Sequence, residues 1–349
     1  VVRALRERFP DAEIEAFGGA EMAAAGARVV WPMERYTVMG FAEVIAKIPA
    51  HARLLRELSR RFRARRYDLV ILIDYPGFHL RVAESARAAG LKVLHYIAPQ
   101  FWAWRPERAK RFRRAVDRFA VIFPFEAPFF QSLGLPAEYV GHPLLDRPPA
   151  PDRVAARAAL GIPATARVLG LFPGSRNQEL ARHWVAFRNA GLEVLRRGAA
   201  EVAVVATIPG GDYPNPADLM LARSDPATVL AATDAVLAKS GTTTLEAALA
   251  DRPMVAAYRV HPLTGWMARR LIRVPWISLP NLIANAPVVT ELVQGEVRAD
   301  RLAEAIEPLL DPDHASTVAQ RAGLAKVRDA VGGPGAARRV ATIAADLLK

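Results

Sequence analysis

The chain has no cysteine among its 349 residues. That excludes a disulfide framework and any thiolate metal site, and it suits a reducing compartment. No run of eighteen residues is free of charge, so no transmembrane helix is expected. Several catalytic signatures are also missing. There is no HExxH, no GxSxG elbow, no GxxxxGK[ST] loop and no complete GxGxxG after a strand. Metal-dependent hydrolysis, serine-hydrolase chemistry and dinucleotide redox chemistry therefore lose their usual markers, and no metal or cofactor is expected. Acidic residues are scarce too: 35 stand against 47 basic ones, a formal charge of +12. Such an excess attracts something anionic, whether nucleic acid, an anionic membrane surface or a phosphorylated substrate. Arginine carries most of it in a sequence generally rich in Arg and Ala, so charge discriminates weakly among these.

What is present is apolar and punctuated. At 52% hydrophobic residues the chain can bury sizeable cores, and its length suits two domains. A Pro-rich, aperiodic stretch, RPPAPDR at 147–153, reads as the linker. The division expected is 1–146 and 147–349, each an α/β unit, with closing helices at Ala299–Leu310, Ala315–Ala330 and Gly335–Leu348 in the second.

In the first half, DLVILID (Asp68–Asp74) has the continuous apolar pattern of a buried parallel strand. Open α/β sheets place ligands beyond the carboxyl ends of their strands. Asp74 is thus a candidate general base, and equally a cap for the helix opened by Pro76 and Gly77. The strand Leu91–Ile97 empties into a loop bearing Trp102, Trp104 and Arg105. That set suits base stacking, a sugar phosphate or a membrane interface. Gly141-His142-Pro143 closes another strand, and His142 is either a phosphate or proton partner or a structural hydrogen-bonder. Upstream, Val38–Lys47 carries Met39, Phe41, Val44 and Ile45, and seven arginines follow between His51 and Arg66. An amphipathic helix packed on the sheet and an interfacial helix both account for this pattern.

In the second half, VLGLFPGSRNQEL (Val168–Leu180) reads as strand, glycine turn and helix, with Gly174, Ser175 and Arg176 at the turn. Backbone N–H groups, a hydroxyl and a guanidinium converging there constitute anion-binding chemistry. The stretch Ala231–Tyr258 repeats the pattern. A strand (Ala235–Ala238), a turn (Lys239, Ser240, Gly241), a helix opened by Thr242–Thr244 and a strand (Met254–Ala257) follow in order. Gly241 allows close backbone approach and the helix start favours an anion. Glu246 is placed either for ribose hydroxyls or as a solvated helix-start charge. Between Tyr258 and Val297 a helix is expected over Leu263–Ile272, then proline-broken loops in which Asn281, Glu291 and Gln294 serve as ligand contacts or caps.

These motifs, in order, resemble the lipid-A-disaccharide synthase family of inverting GT-B glycosyltransferases. The carriers are VMGFAEV (Val38–Val44), IDYPGFHL (Ile73–Leu80), HYIAPQFWAWRPER (His95–Arg108), FPFE (Phe123–Glu126), VGHPLLD (Val140–Asp146) and FPGSR (Phe172–Arg176). SGTTTLEAAL (Ser240–Leu249), MVAAYRVHPLT (Met254–Thr264), ISLPNLIA (Ile277–Ala284) and ELVQ (Glu291–Gln294) complete the set. The resemblance implies two Rossmann-like domains facing a central cleft. It implies condensation of UDP-2,3-diacylglucosamine with 2,3-diacylglucosamine 1-phosphate to the β-1,6-linked lipid A disaccharide 1-phosphate, with release of UDP. By the same resemblance Asp74 is the base and Arg176 offsets leaving-group charge. Gly174, Ser175, Ser240, Gly241, Thr242, Glu246, Asn281 and Gln294 surround the UDP-sugar. Met39, Phe41, Trp102, Trp104, Arg105 and His142 serve the acceptor or lipid. A cytoplasmic enzyme, peripheral on the inner membrane surface, is implied, with room for a homodimer and no nucleic-acid partner. The family's first strand and GExSGD loop have no counterpart after Val1, so N-terminal truncation is expected. The family's second Asp and its Asn are Gly77 and His79 here, and Ile208–Asp225 is shorter and richer in Pro and Gly. The alternatives are another GT-B UDP-sugar enzyme such as a 2-epimerase, a UDP-sugar-binding relative without activity, and a basic nucleic-acid binder.

Overall fold

The computed structural model describes residues 1–33, 36, 41–103, 106–261 and 274–349, and only the backbone of 41–47 and 106. The chain divides into two compact units, Val1–Arg147 with Gly333–Lys349, and Pro148–Gly332. In the first unit the elements run α1 (Val2–Arg8), β1 (Glu15–Gly18), α2 (Ala20–Ala24), β2 (Arg28–Pro32), α3 (Phe41–Arg63), β3 (Leu69–Ile73) and α4 (Pro76–Ala88). They continue with β4 (Lys92–Tyr96), α5 (Ala109–Ala115), β5 (Arg118–Val121), α6 (Glu126–Ser132) and β6 (Ala137–Tyr139). β1 and β2 form a parallel pair, and β3-β4-β5-β6 form a parallel sheet in that order. The strand expected at Asp68–Asp74 is β3. The helix around Pro49 is continuous, running through the proline rather than restarting after it. Leu54 and Phe62 of α3 are buried in the core while Arg53, Arg56, Arg60 and Arg63 are exposed.

The core behind this sheet contains a polar defect. His95 of β4 is fully buried, and its ring stacks at 21° on Phe119. Neither ring nitrogen has a hydrogen-bond partner of good geometry among the described residues; the Tyr96 backbone near it offsets only a small part of the cost of burial. Burial pushes the imidazole down to about 3. His95→Phe is expected to stabilise the protein by about 1–3 kcal/mol at pH 7, because an unpaired buried polar group is removed. The folded-state pKa lies below the ordinary 6.5, so the native state binds fewer protons than the unfolded chain and the parent loses stability as pH falls below about 6.5. The advantage of phenylalanine therefore grows toward acid, and denaturant melts at pH 5 and pH 7.5 measure it.

The second unit runs α7 (Arg153–Leu160), β7 (Val168–Phe172), α8 (Asn177–Arg196), β8 (Val202–Ala206), β9 (Met220–Ala222), α9 (Pro226–Ala232), β10 (Ala235–Lys239) and α10 (Thr242–Leu249). It ends with β11 (Met254–Tyr258), α11 (Leu279–Ala284), β12 (Thr290–Val293), α12 (Ala299–Ile306) and α13 (Ala315–Val331). Its six strands are parallel in the order β12-β11-β10-β7-β8-β9. β7 is buried throughout and β10 nearly so, as strands covered on both faces require. Leu180, Trp184, Phe187 and Val194 repeat along one side of α8 and close the core. The short strands β9 and β12 lie in segments expected to be irregular; sheet pairing supplies the order that their own pattern lacks. The helix expected over Leu263–Ile272 lies outside the described residues.

The last helix departs from the expected division. α14 (Ala336–Leu348) packs on α1 and on β3–β5 of the first unit. The Asp146 carboxylate accepts from the backbone N–H groups of Gly335, Ala336 and Ala337 at 2.6, 3.1 and 2.8 Å. An anion at that helix start satisfies donors that the helix cannot. Arg339 Nε donates to the Val140 carbonyl at 2.7 Å.

Candidate active site

In the second unit the chain leaves β7 toward β8 and β9, then returns to the other side of β7 as β10. That reversal is a topological switch point, where the loops beyond adjacent strands diverge and ligands bind. The two loops there are the predicted ones, Pro173–Arg176 after β7 and Ser240–Gly241 after β10. Gly174 has φ +149°, and a Cβ on it would lie 2.6 Å from Glu179 Cβ. Gly241 has φ +157°, and its Cβ would approach Lys239 Nζ to 3.4 Å. Both turns therefore favour glycine for conformation, and the first requires it for space as well.

One carboxylate joins the two loops. Glu179, in the first turn of α8, accepts from Lys239 Nζ at 2.8 Å and from Ser175 N at 3.0 Å. Ser175 Oγ and Arg176 Nη1 stand farther away, at 3.3 and 3.5 Å. Burial alone would raise its pKa; the Lys239 ammonium, the Ser175 N–H and Arg176 outweigh burial and hold it below the usual carboxylate range. Lys239 also lies over the Tyr258 ring, 5.5 Å from its centroid. Sequence reasoning placed Lys239 in the turn but assigned neither it nor Glu179 to the site. An acid three residues after Arg176 in a first helical turn was the available signal.

Other predicted residues frame the loops. Ser240 N donates to the Ala257 carbonyl at 2.8 Å and its Oγ to the Ile277 carbonyl at 2.6 Å, which pins the β10 turn to the Ile277–Asn281 segment. Asn281 is fully buried and its amide is committed. Nδ2 donates to Val289 O and Glu291 Oε1, each at 2.8 Å, and Oδ1 accepts from Val289 N at 2.7 Å. Glu291 further accepts from Ile277 N, Ser278 N and Ser278 Oγ. Gln294, left-handed at φ +55°, uses Oε1 to accept from Val260 N at 3.0 Å. Asn281 and Glu291 thus shape the segment between β11 and β12 from behind. His183 of α8 does the same, donating from Nδ1 to Glu179 O and accepting Arg259 N–H at Nε2. Thr242 is exposed at the start of α10, and Glu246 is half-buried one turn in.

In the first unit, Asp74, Trp102, Glu126 and His142 all follow the carboxyl ends of parallel strands, β3 to β6 in turn. Asp74 is exposed. It and Tyr75 are consecutive left-handed residues at φ +53° and +48°, a conformation that costs a non-glycine residue about 1 kcal/mol or more. The turn is held from both sides: Asp74 N donates to Tyr96 O at 2.9 Å, and His79 Nδ1 donates to Asp74 O at 2.7 Å. Trp102 Nε1 donates to Glu126 at 2.9 Å. Burial pushes this carboxyl up to about 7 against that indole and the Phe123 and Ile122 N–H groups. His142 is buried, and its Nδ1 accepts from Leu144 N at 3.2 Å. Burial, then Arg147, push it down to about 4, and its ring caps the turn that follows β6. Met39, Trp104 and Arg105 lie outside the described residues, and the Phe41 side chain does too.

The family model for LpxB, lipid-A-disaccharide synthetase, matches residues 1–332. A lipid-A-disaccharide synthase of Geobacter metallireducens is 42% identical over 340 residues, spanning 95% of this chain and 88% of that one. Among solved structures, the UDP-GlcNAc 2-epimerase of Neisseria meningitidis bound to UDP-GlcNAc aligns with TM-score 0.58 at 11% identity, over 93% of this chain and 86% of that one. Arabidopsis thaliana UGT89C1 complexed with UDP aligns with TM-score 0.57 at 16% identity, over 88% and 80%. The epimerase and the plant enzyme share the architecture, two parallel-sheet Rossmann-like units of the GT-B kind. The chain accordingly belongs to the lipid-A-disaccharide synthase family, glycosyltransferases of lipid A biosynthesis.

Proposed function

We propose that the donor is UDP-2,3-diacylglucosamine and the acceptor 2,3-diacylglucosamine 1-phosphate. The single observation that carries the donor side is the pair of glycine turns at the β7/β10 switch point. They gather backbone N–H groups, the Ser175 hydroxyl and the Arg176 guanidinium at one strand edge. The diphosphate lies on Gly174–Arg176 and Gly241–Thr242, and Glu246 takes the ribose hydroxyls. Ser240, Asn281 and Gln294 act by holding those loops. The Asp74 carboxylate removes the proton of the acceptor 6-hydroxyl as that oxygen attacks the donor anomeric carbon. The bond from carbon to the diphosphate oxygen breaks, and UDP leaves with the electron pair. Arg176 offsets the charge that accumulates on the leaving oxygen, a task that falls to cations and N–H donors.

Both substrates carry acyl chains, so the protein works as a peripheral enzyme on the cytoplasmic face of the inner membrane. The exposed arginines of α3 support attraction to anionic headgroups. No helix among the described residues is long and apolar enough to cross a membrane. Mixing the protein with UDP-2,3-diacylglucosamine in detergent is expected to release UDP only when diacylglucosamine 1-phosphate is added. Acceptor-independent release would point to hydrolysis or epimerase-like chemistry, and UDP bound without release to a binding protein.

A further inference from the structure

Two features of the switch point remain unassigned: a lysine contributed by the β10 loop and a carboxylate facing it from α8. We infer that Lys239 is a ligand of the donor diphosphate and that Glu179 is its internal competitor, a carboxylate that collects the same donors and yields them to a larger anion. The inference rests on the diphosphate site proposed above.

Four donors from two separate loops converge on this one carboxylate. Lys239 Nζ and Ser175 N are at bonding distance, 2.8 and 3.0 Å. The Ser175 hydroxyl and the Arg176 guanidinium stand off at 3.3 and 3.5 Å, long for bonds to a charged acceptor. The donor set is therefore wider than one carboxylate fills, whereas a diphosphate offers oxygens on two phosphorus atoms. Charge agrees: Lys239 and Arg176 bring two positive charges against the single negative charge of Glu179, leaving a surplus that favours an anion of higher charge. Position agrees too. The Lys239 ammonium lies above Gly241, where a side chain would reach it at 3.4 Å, so it stands over the turn that opens α10. Lys239 and Glu179 are each 16% exposed at the side chain, so a ligand reaches them without the core opening. A carboxylate that keeps the donors aimed at one point limits the reorganisation needed when the diphosphate arrives. It also makes entry selective: a nucleoside without phosphates has nothing to offer in exchange for the Glu179 contacts.

The test is calorimetric titration with UDP and with uridine. Lys239→Met is expected to weaken UDP about tenfold or more, the loss of one charge-assisted contact, and to leave uridine unchanged. Lys239→Arg recovers part of the loss. Glu179→Gln keeps the side chain's shape but not its charge, and is expected to tighten UDP about threefold or more while leaving uridine unchanged. An unaltered UDP-to-uridine ratio in Lys239→Met, or weaker UDP binding in a folded Glu179→Gln, would overturn the inference and leave a structural ion pair. Should Glu179→Gln fail to fold, the two Lys239 variants decide alone. If the unaltered protein binds UDP no better than uridine, the diphosphate site itself is wrong, a failure distinguishable from the others.

Discussion

Asp74→Asn is expected to lower kcat by about 10²- to 10⁴-fold, the usual contribution of a positioned general base. UDP affinity is expected to stay within about twofold of the parent, because Asp74 and the glycine turns proposed to hold UDP belong to different units. Asparagine is the right probe for a conformational reason. Asp74 is left-handed at φ +53°, and asparagine tolerates that region better than most side chains. Alanine would mix the loss of a base with backbone strain. The bond from His79 reaches the Asp74 carbonyl and not its carboxylate, so the turn keeps its anchor in the variant. Steady-state turnover at saturating donor, with UDP titration on the same preparation, separates the outcomes. Turnover within about twofold of the parent would remove Asp74 as the base.

The largest stability effect is expected at Arg157→Leu. This guanidinium is buried with its side chain only 2% exposed. Nε donates to Ala232 O at 3.0 Å, Nη1 to Ala164 O at 2.5 Å and Pro163 O at 3.3 Å, and Nη2 to Asp234 at 2.9 Å. Asp234 in turn accepts Val168 N at the start of β7 and pairs with Arg153. One side chain thereby ties α7, the loop before β7 and the end of α9 together at the strand edge opposite the site. Removing one member of such a buried network costs about 3–5 kcal/mol, since its partners stay buried without it. For a unit of this size that corresponds to a drop of roughly 6–20 °C in Tm, with UDP binding at low temperature nearly unchanged. A Tm within 2 °C or so of the parent would mean that water or neighbouring groups replace the guanidinium. Lysine is not expected to rescue it, because a single ammonium cannot span the fork.

Arg157 also shows where sequence reasoning stopped. In a chain so rich in arginine, the buried one has no local signature; it follows the proline linker and resembles its exposed neighbours. Glycine turns at strand ends were legible, because φ and close approach constrain residue type wherever such turns occur. The strands of β3, β7 and β10 were legible from their continuous apolar runs. The Glu179–Lys239 pair was not, since the partners come together only once strand order sets β10 beside β7. Asn281 and Glu291 were seen as polar groups in apolar surroundings, and that pattern cannot separate a ligand contact from a loop scaffold. Their hydrogen bonds to Val289, Ile277 and Ser278 show the loop-holding role, which depends on chain segments that sequence does not bring together. His142 posed the same ambiguity; the bond from Leu144 N gives it a capping role that its place at a strand end does not announce. The return of the last helix was not legible, because its destination depends on Asp146, far away in sequence.

That return has a bearing on synthesis. A ribosome delivers the chain from its amino end, and domains generally fold as they emerge. Here the first unit cannot fold to completion in that order. The faces of β3–β5 that α14 covers, and the Asp146 carboxylate that its backbone satisfies, wait until every residue of the second unit has been translated. The second unit, continuous from Pro148 to Gly332, finishes earlier although it is made later. A nascent chain stalled near Gly332 would therefore present a folded second unit joined to a first unit with apolar surface still uncovered, a natural target for chaperones or proteases.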